Sequence, residues 1–114
     1  MTTNIEVAGQ FGYFIAKADY TAAHNLLTQE AQKLYSSDDL KKSVEQMTEY
    51  GQGPILEVDI MSDYILKDWP TKQEKDLVWV YVSLVGEDFC EAVIVILADE
   101  IGDVRIRYLE WGRP

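Results

Sequence analysis

Hydrophobic and polar positions change period about halfway along the chain. Ile5, Ala8, Phe11, Ile15 and Ala18 recur at the spacing of one helix face, and Val7 and Phe14 widen the stripe. Gly9 and Gly12 fall inside this segment and weaken a helix by about 1 kcal/mol each relative to alanine, which suits close packing on a neighbour. Asp19 opens a second helical segment, with Asp19 or Thr21 as its candidate N-cap and Ala22, Ala23, Leu26 and Leu27 as its apolar face. Thr28-Gln29-Glu30 begins a turn or a short irregular helix that carries Leu34 and Tyr35. Ser36-Ser37-Asp38-Asp39 predicts a further helix start: Ser37 can cap, and the aspartates suit the positive end of the helix dipole. Leu40, Val44 and Met47 continue that helix, and Gly51-Gln52-Gly53-Pro54 stops it.

Beyond Pro54 the period becomes two. In residues 55–66, Leu56, Val58, Ile60, Tyr64 and Leu66 share one face, and Glu57, Asp59 and Asp63 the other, as in a half-buried strand. A polar connection from Lys67 to Lys75 follows. Residues 77–85 and 89–98 are β-branched and apolar on both faces, so both faces need cover. Glu87-Asp88 and the stretch from Asp99 to Gly102 read as hairpin turns, and residues 104–111 form the last strand.

Helices followed by a meander define an α+β domain: three N-terminal helices on a curved four-stranded antiparallel sheet, with residues 1–114 as one domain. Strand pairing through these turns puts Val78, Val80, Val82 and Leu84 beside Leu97, Val95, Val93 and Glu91, with Val104, Ile106, Tyr108 and Glu110 continuing the face. This smooth aliphatic face suits packing under helices. The opposite face carries Trp79, Tyr81, Arg105, Arg107 and Trp111 around small apolar residues. Aromatics and arginine are enriched in interfaces, and so apolar a face is not expected to stand in water. It is expected to form a homodimer or partner interface.

Charge narrows the function classes. Twenty acids against ten bases give a net charge of −10. That sign opposes nucleic-acid binding and attachment to an anionic membrane; it favours solubility and can steer a basic partner, though many soluble proteins are simply acidic. One cysteine, Cys90, rules out an internal disulfide and any paired-cysteine zinc site. Neither a metal nor a cofactor is expected. No apolar leader precedes Val7, so a cytoplasmic location is the default expectation.

Ala18-Asp19-Tyr20 followed by Ala22-Ala23-His24-Asn25-Leu26-Leu27-Thr28 resembles the turn between the first two helices of the NTF2-like (cystatin-type α+β, SnoaL-like) superfamily. The helix from Ser37 and the long C-terminal meander agree with it. The resemblance implies a curved sheet wrapping a helix around a conical pocket, with Phe11, Phe14, Tyr64, Val80, Val95 and Tyr108 as lining, and an outer sheet face used for dimerisation. Superfamily isomerases use a helix-1 tyrosine and two aspartates. Here Gln10 falls where that tyrosine would stand, and no aspartate occupies the middle of the third or fourth strand. The isomerase residues are therefore not carried over.

Three titratable residues stand out. Glu91 and Glu110 fall opposite each other in this register, and two close carboxylates raise one another's pKa. His24, on the short second helix, is a candidate general base. Solvation at the open end of the sheet, or pairing with Arg113 or a helix lysine, accounts for the glutamates, and a surface or capping role for the histidine, without any chemistry. The expected function is a non-catalytic small-molecule pocket, for a small apolar ligand, or a protein-interaction module. The alternatives are an isomerase- or dehydratase-like enzyme with a pocket carboxylate, and an acidic immunity-type inhibitor of a toxin.

Overall fold

The structure is a computed structural model. It describes residues 3–51, 53–87 and 89–112, with the side chains of residues 50, 51 and 62–64 not described. Four helices precede four strands: α1 (Asn4–Ala16), α2 (Tyr20–His24), α3 (Gln29–Leu34), α4 (Ser37–Gly51), β1 (Glu57–Leu66), β2 (Asp76–Val85), β3 (Cys90–Glu100) and β4 (Asp103–Gly112). The fold is α+β, and the sheet is an open antiparallel meander in the order β1-β2-β3-β4.

Each helix start is set by a short polar side chain. Thr3, Asp19 and Thr28 accept from Glu6 N, Ala22 N and Ala31 N, which satisfies one orphan amide per helix. The sequence predicts one irregular stretch after Thr28, whereas the structure has a separate capped helix there. At α4 the cap is Ser36 rather than Ser37. Asp39 N donates to Ser36 Oγ, and Ser36 N donates to Asp39 Oδ2, a reciprocal capping box. Two residues past the end of helix α1, Ala18 turns the chain left-handed at φ 59°. Ala18 N donates to the Ile15 carbonyl and Asp19 N to the Phe14 carbonyl, a Schellman pair.

Helix α1 lies on the sheet and buries Val7, Ala8, Phe11 and Ile15 against Val78, Val80, Val82, Val93, Val95 and Leu97. Gly12 lets it approach closely: a Cβ there would stand 2.5 Å from Val58 Cγ1. The residues of the fully buried core amount to a side-chain layer between helices and one sheet face, the main source of the fold's stability. Leu26–Thr28 runs beside β4 as a short parallel bridge. Thr28 N donates to the Ile106 carbonyl, and Ile106 N to the Leu26 carbonyl. That contact pairs part of the edge of β4.

The β2–β3 register matches the expected one, with Val80 opposite Val95 and Leu84 opposite Glu91. The β3–β4 register does not. Leu97 faces Ile106 but Ile96 faces Tyr108, so Arg107 is an inserted residue. A bulge of this kind exchanges the faces of everything beyond it. Leu109 and Trp111 turn inward, with Trp111 6.3 Å from the Phe11 ring, and Tyr108 and Glu110 turn outward. A second irregularity in β1, between Ile60 and Ile65, turns Ile65 inward and Leu66 outward.

Candidate functional site

The register decides which of the expected site residues meet. Glu91 is buried on the helix side, 8% exposed, and Glu110 is exposed on the other side of the sheet, opposite Ile94. The expected carboxylate pair does not form, because the bulge at Arg107 separates the two by the thickness of the sheet. Glu91 is also engaged in an interaction of its own.

His24 is held in a clamp. Its Nε2 lies 3.2 Å from the Gln32 carbonyl, and Gln32 Nε2 donates to the His24 carbonyl. A carbonyl only accepts, so His24 Nε2 carries the proton in this bond. The pair joins α2 to α3, and that explains the histidine structurally.

Of the expected pocket lining, Phe11, Val80 and Val95 are completely buried in the packed core, and Phe14 is partly buried with its ring 5.9 Å from Tyr13. Tyr108 is on the outer face, 39% exposed, contrary to its expected place inside. The Tyr64 side chain lies outside the described residues.

Of the expected interface residues, Trp79 and Tyr81 are half-buried on the outer face, their rings 6.2 Å apart. Trp111 is not there, since the bulge turns it toward Phe11. The two arginines serve the fold. Arg105 Nη1 donates 2.6 Å to the Asn25 carbonyl, and its guanidinium stands within 4.0 Å of Glu100 and Asp103. Arg107, the bulge residue, reaches across β3 to β2 and grips Asp76 with Nε and Nη2, the latter at 2.7 Å. Asp76 has a wholly buried side chain and also accepts from Gln73 N at 2.8 Å. A desolvated carboxylate of this kind requires such a bidentate partner.

What remains on the outer face is an aromatic surface with acids along it. Leu66, Trp79, Ile96 and Tyr108 form one row across the four strands, and Tyr81, Ile94 and Glu110 form the next. Ile96 is 4% exposed and lies under its neighbours, whereas Leu66 is 41% exposed. A depression of about 430 Å³ opens here, lined by Trp79, Ile96, Tyr108 and Glu110, by Arg107 in its pair with Asp76, and by Thr71 and Gln73 of the 67–75 connection. The sequence reading found the face but missed Tyr108 and Glu110 as its members.

Other depressions flank the β3–β4 turn. One of about 450 Å³ holds Gln10, Asn25 and Arg105, whose guanidinium is already committed, and one of about 340 Å³ is rimmed by Glu30, Glu74, Asp99 and Glu100. Among the described residues, no cluster of His, Cys, Asp and Glu is placed to hold a metal ion, and no helix is long and apolar enough to cross a membrane. Comparison of the chain with protein-family models, curated proteins and solved structures gives no match.

Proposed function

We propose that the protein is a non-catalytic interaction module, a compact domain of the NTF2-like kind that presents the outer face of its sheet to a protein partner. The observation that carries this reading is the row Leu66, Trp79, Ile96, Tyr108, an apolar and aromatic strip on the face opposite α1. Leu66 and Tyr108 are exposed at its two ends, with half-buried Trp79 and buried Ile96 between them, and large apolar side chains that reach water on an otherwise well-packed domain mark contact surfaces. The sequence motif around Asp19 and the helices-then-meander order support the superfamily likeness. The packed state of Phe11, Val80 and Val95 favours an interaction surface over a pocket between helix and sheet.

Truncation at Trp79 tests the reading. A side chain that serves contact rather than folding should cost about 1 kcal/mol or less when cut to alanine, against roughly 3–5 kcal/mol for a core aromatic. Urea melts of Trp79→Ala and Phe11→Ala give the comparison, and binding of a hydrophobic dye gives the exposed apolar area. Equal destabilisation by the two substitutions would make the outer face part of the folding core and end the interaction reading.

A further inference from the structure

The outer face has an unbalanced charge, and that imbalance selects its partner. Glu57, Asp59 and Glu110 are exposed and lie on the rows that face away from α1, opposite Val85, Ser83 and Ile94. Among the described residues, no lysine, arginine or histidine forms an ion pair with any of them. The cations of the same face are spent: Arg107 on Asp76, and Arg105 on Glu100, Asp103 and the Asn25 carbonyl. The net charge of −10 adds a field of the same sign.

We infer that the partner of this face is a basic polypeptide segment, one of whose arginine or lysine side chains enters the depression between Trp79 and Tyr108 and meets Glu110. This rests on the interaction-module reading and names the partner's chemistry. Trp79 and Tyr108 stand two strand spacings apart across Ile96, or about 10 Å between backbones. A long cationic side chain fits that width, with its stem over Ile96 and its head against the aromatic rings. Arg107 and Glu110 both line the depression; Asp76 neutralises Arg107, which among the described residues leaves Glu110 as the unpaired charge and the counter-ion. A second copy of this chain suits the face less well, because it would bring Glu57, Asp59 and Glu110 against like charges.

The test uses the intact protein and a synthetic peptide alternating arginine and leucine, with a glutamate-for-arginine peptide as its control. Calorimetric titration at low and physiological salt should show binding of the basic peptide and none of the acidic one. Glu110→Gln and Trp79→Ala should each weaken it about tenfold, whereas Glu49→Gln on α4, an acid removed elsewhere, should change it by less than about twofold. Circular dichroism melts confirm that the variants fold. Equal weakening by Glu110→Gln and Glu49→Gln, or no binding by the basic peptide, overturns the inference. Sedimentation equilibrium of the protein alone separates the two readings. A dimer that Tyr108→Glu dissociates would put a second copy on this face, ending the basic-partner inference while leaving the interaction module standing. Neither peptide binding nor self-association would remove both.

Discussion

Ala18 is a residue that the fold would replace if stability alone chose it. It occupies the position after the last turn of α1 with φ 59°, where its Cβ crowds the following carbonyl. The left-handed conformation costs a non-glycine residue about 1–2 kcal/mol. Glycine removes that cost but adds about 0.4–1 kcal/mol of unfolded-state entropy. Because the Ala18 side chain is exposed, the substitution forfeits no buried contact. Ala18→Gly should therefore stabilise the protein by about 0.5–1 kcal/mol, or roughly 2–5 °C in melting temperature for a domain of this size. The matched control lies two residues earlier: Ala16 ends α1 and packs against the core, and Ala16→Gly should cost about 1 kcal/mol. Urea titrations followed by circular dichroism, with unchanged slopes, read both. Opposite signs are required. If Ala18→Gly destabilises the protein as Ala16→Gly does, the chain does not turn left-handed at Ala18, and the Schellman bonds to Phe14 and Ile15 are not what ends α1.

Three further substitutions probe other contacts. Gly12→Ala places a methyl 2.5 Å from Val58 Cγ1 and 3.2 Å from Val82 Cγ1, so it should destabilise by about 1–3 kcal/mol in the same titration. Arg107→Met strands the buried Asp76 carboxylate and should cost on the order of 3 kcal/mol; the double variant with Asp76→Leu should recover much of it, and a failure to recover would mean that the pair is not what makes either residue necessary. Asp39 tests the α4 cap through pH. The Ser36 amide, then the Ser36 side chain, holds its carboxyl below the usual value. A folded-state pKa below the unfolded one gives stability that is present above the unfolded value and lost as pH falls through the folded one. Asp39→Asn should therefore flatten the acid limb of the stability profile, and an unchanged limb would remove the capping box.

The outcome at the candidate site turned on one inserted residue, and the sequence did carry its mark. Val104 and Ile106 are apolar at even positions, but the next inward side chains are Leu109 and Trp111 at odd ones. The alternation slips phase between Ile106 and Leu109, where Arg107 has no partner on β3. A strict period of two carries Tyr108 and Glu110 inward and Trp111 outward, which is how the glutamate pair and the arginine-rich face arise on paper. In β1, Val58 and Ile60 give way to Ile65, the same slip. The helices and the β2–β3 register were legible because their patterns are unbroken over many residues. Helix α3 was legible only as an irregular stretch, since its first residues are set by Thr28, which caps it while its amide bonds to Ile106 nearly eighty residues away. Arg107 at the slip is not neutral in this. Tied to Asp76, it holds the bulge in place, and the bulge turns Tyr108 and Glu110 toward Trp79 on the outer face. The buried ion pair and the exposed aromatic surface are thus one feature: the pair sets the register, and the register assembles the surface. Loss of Arg107 should disturb the outer face as well as stability, whereas loss of Trp79 should disturb the face alone.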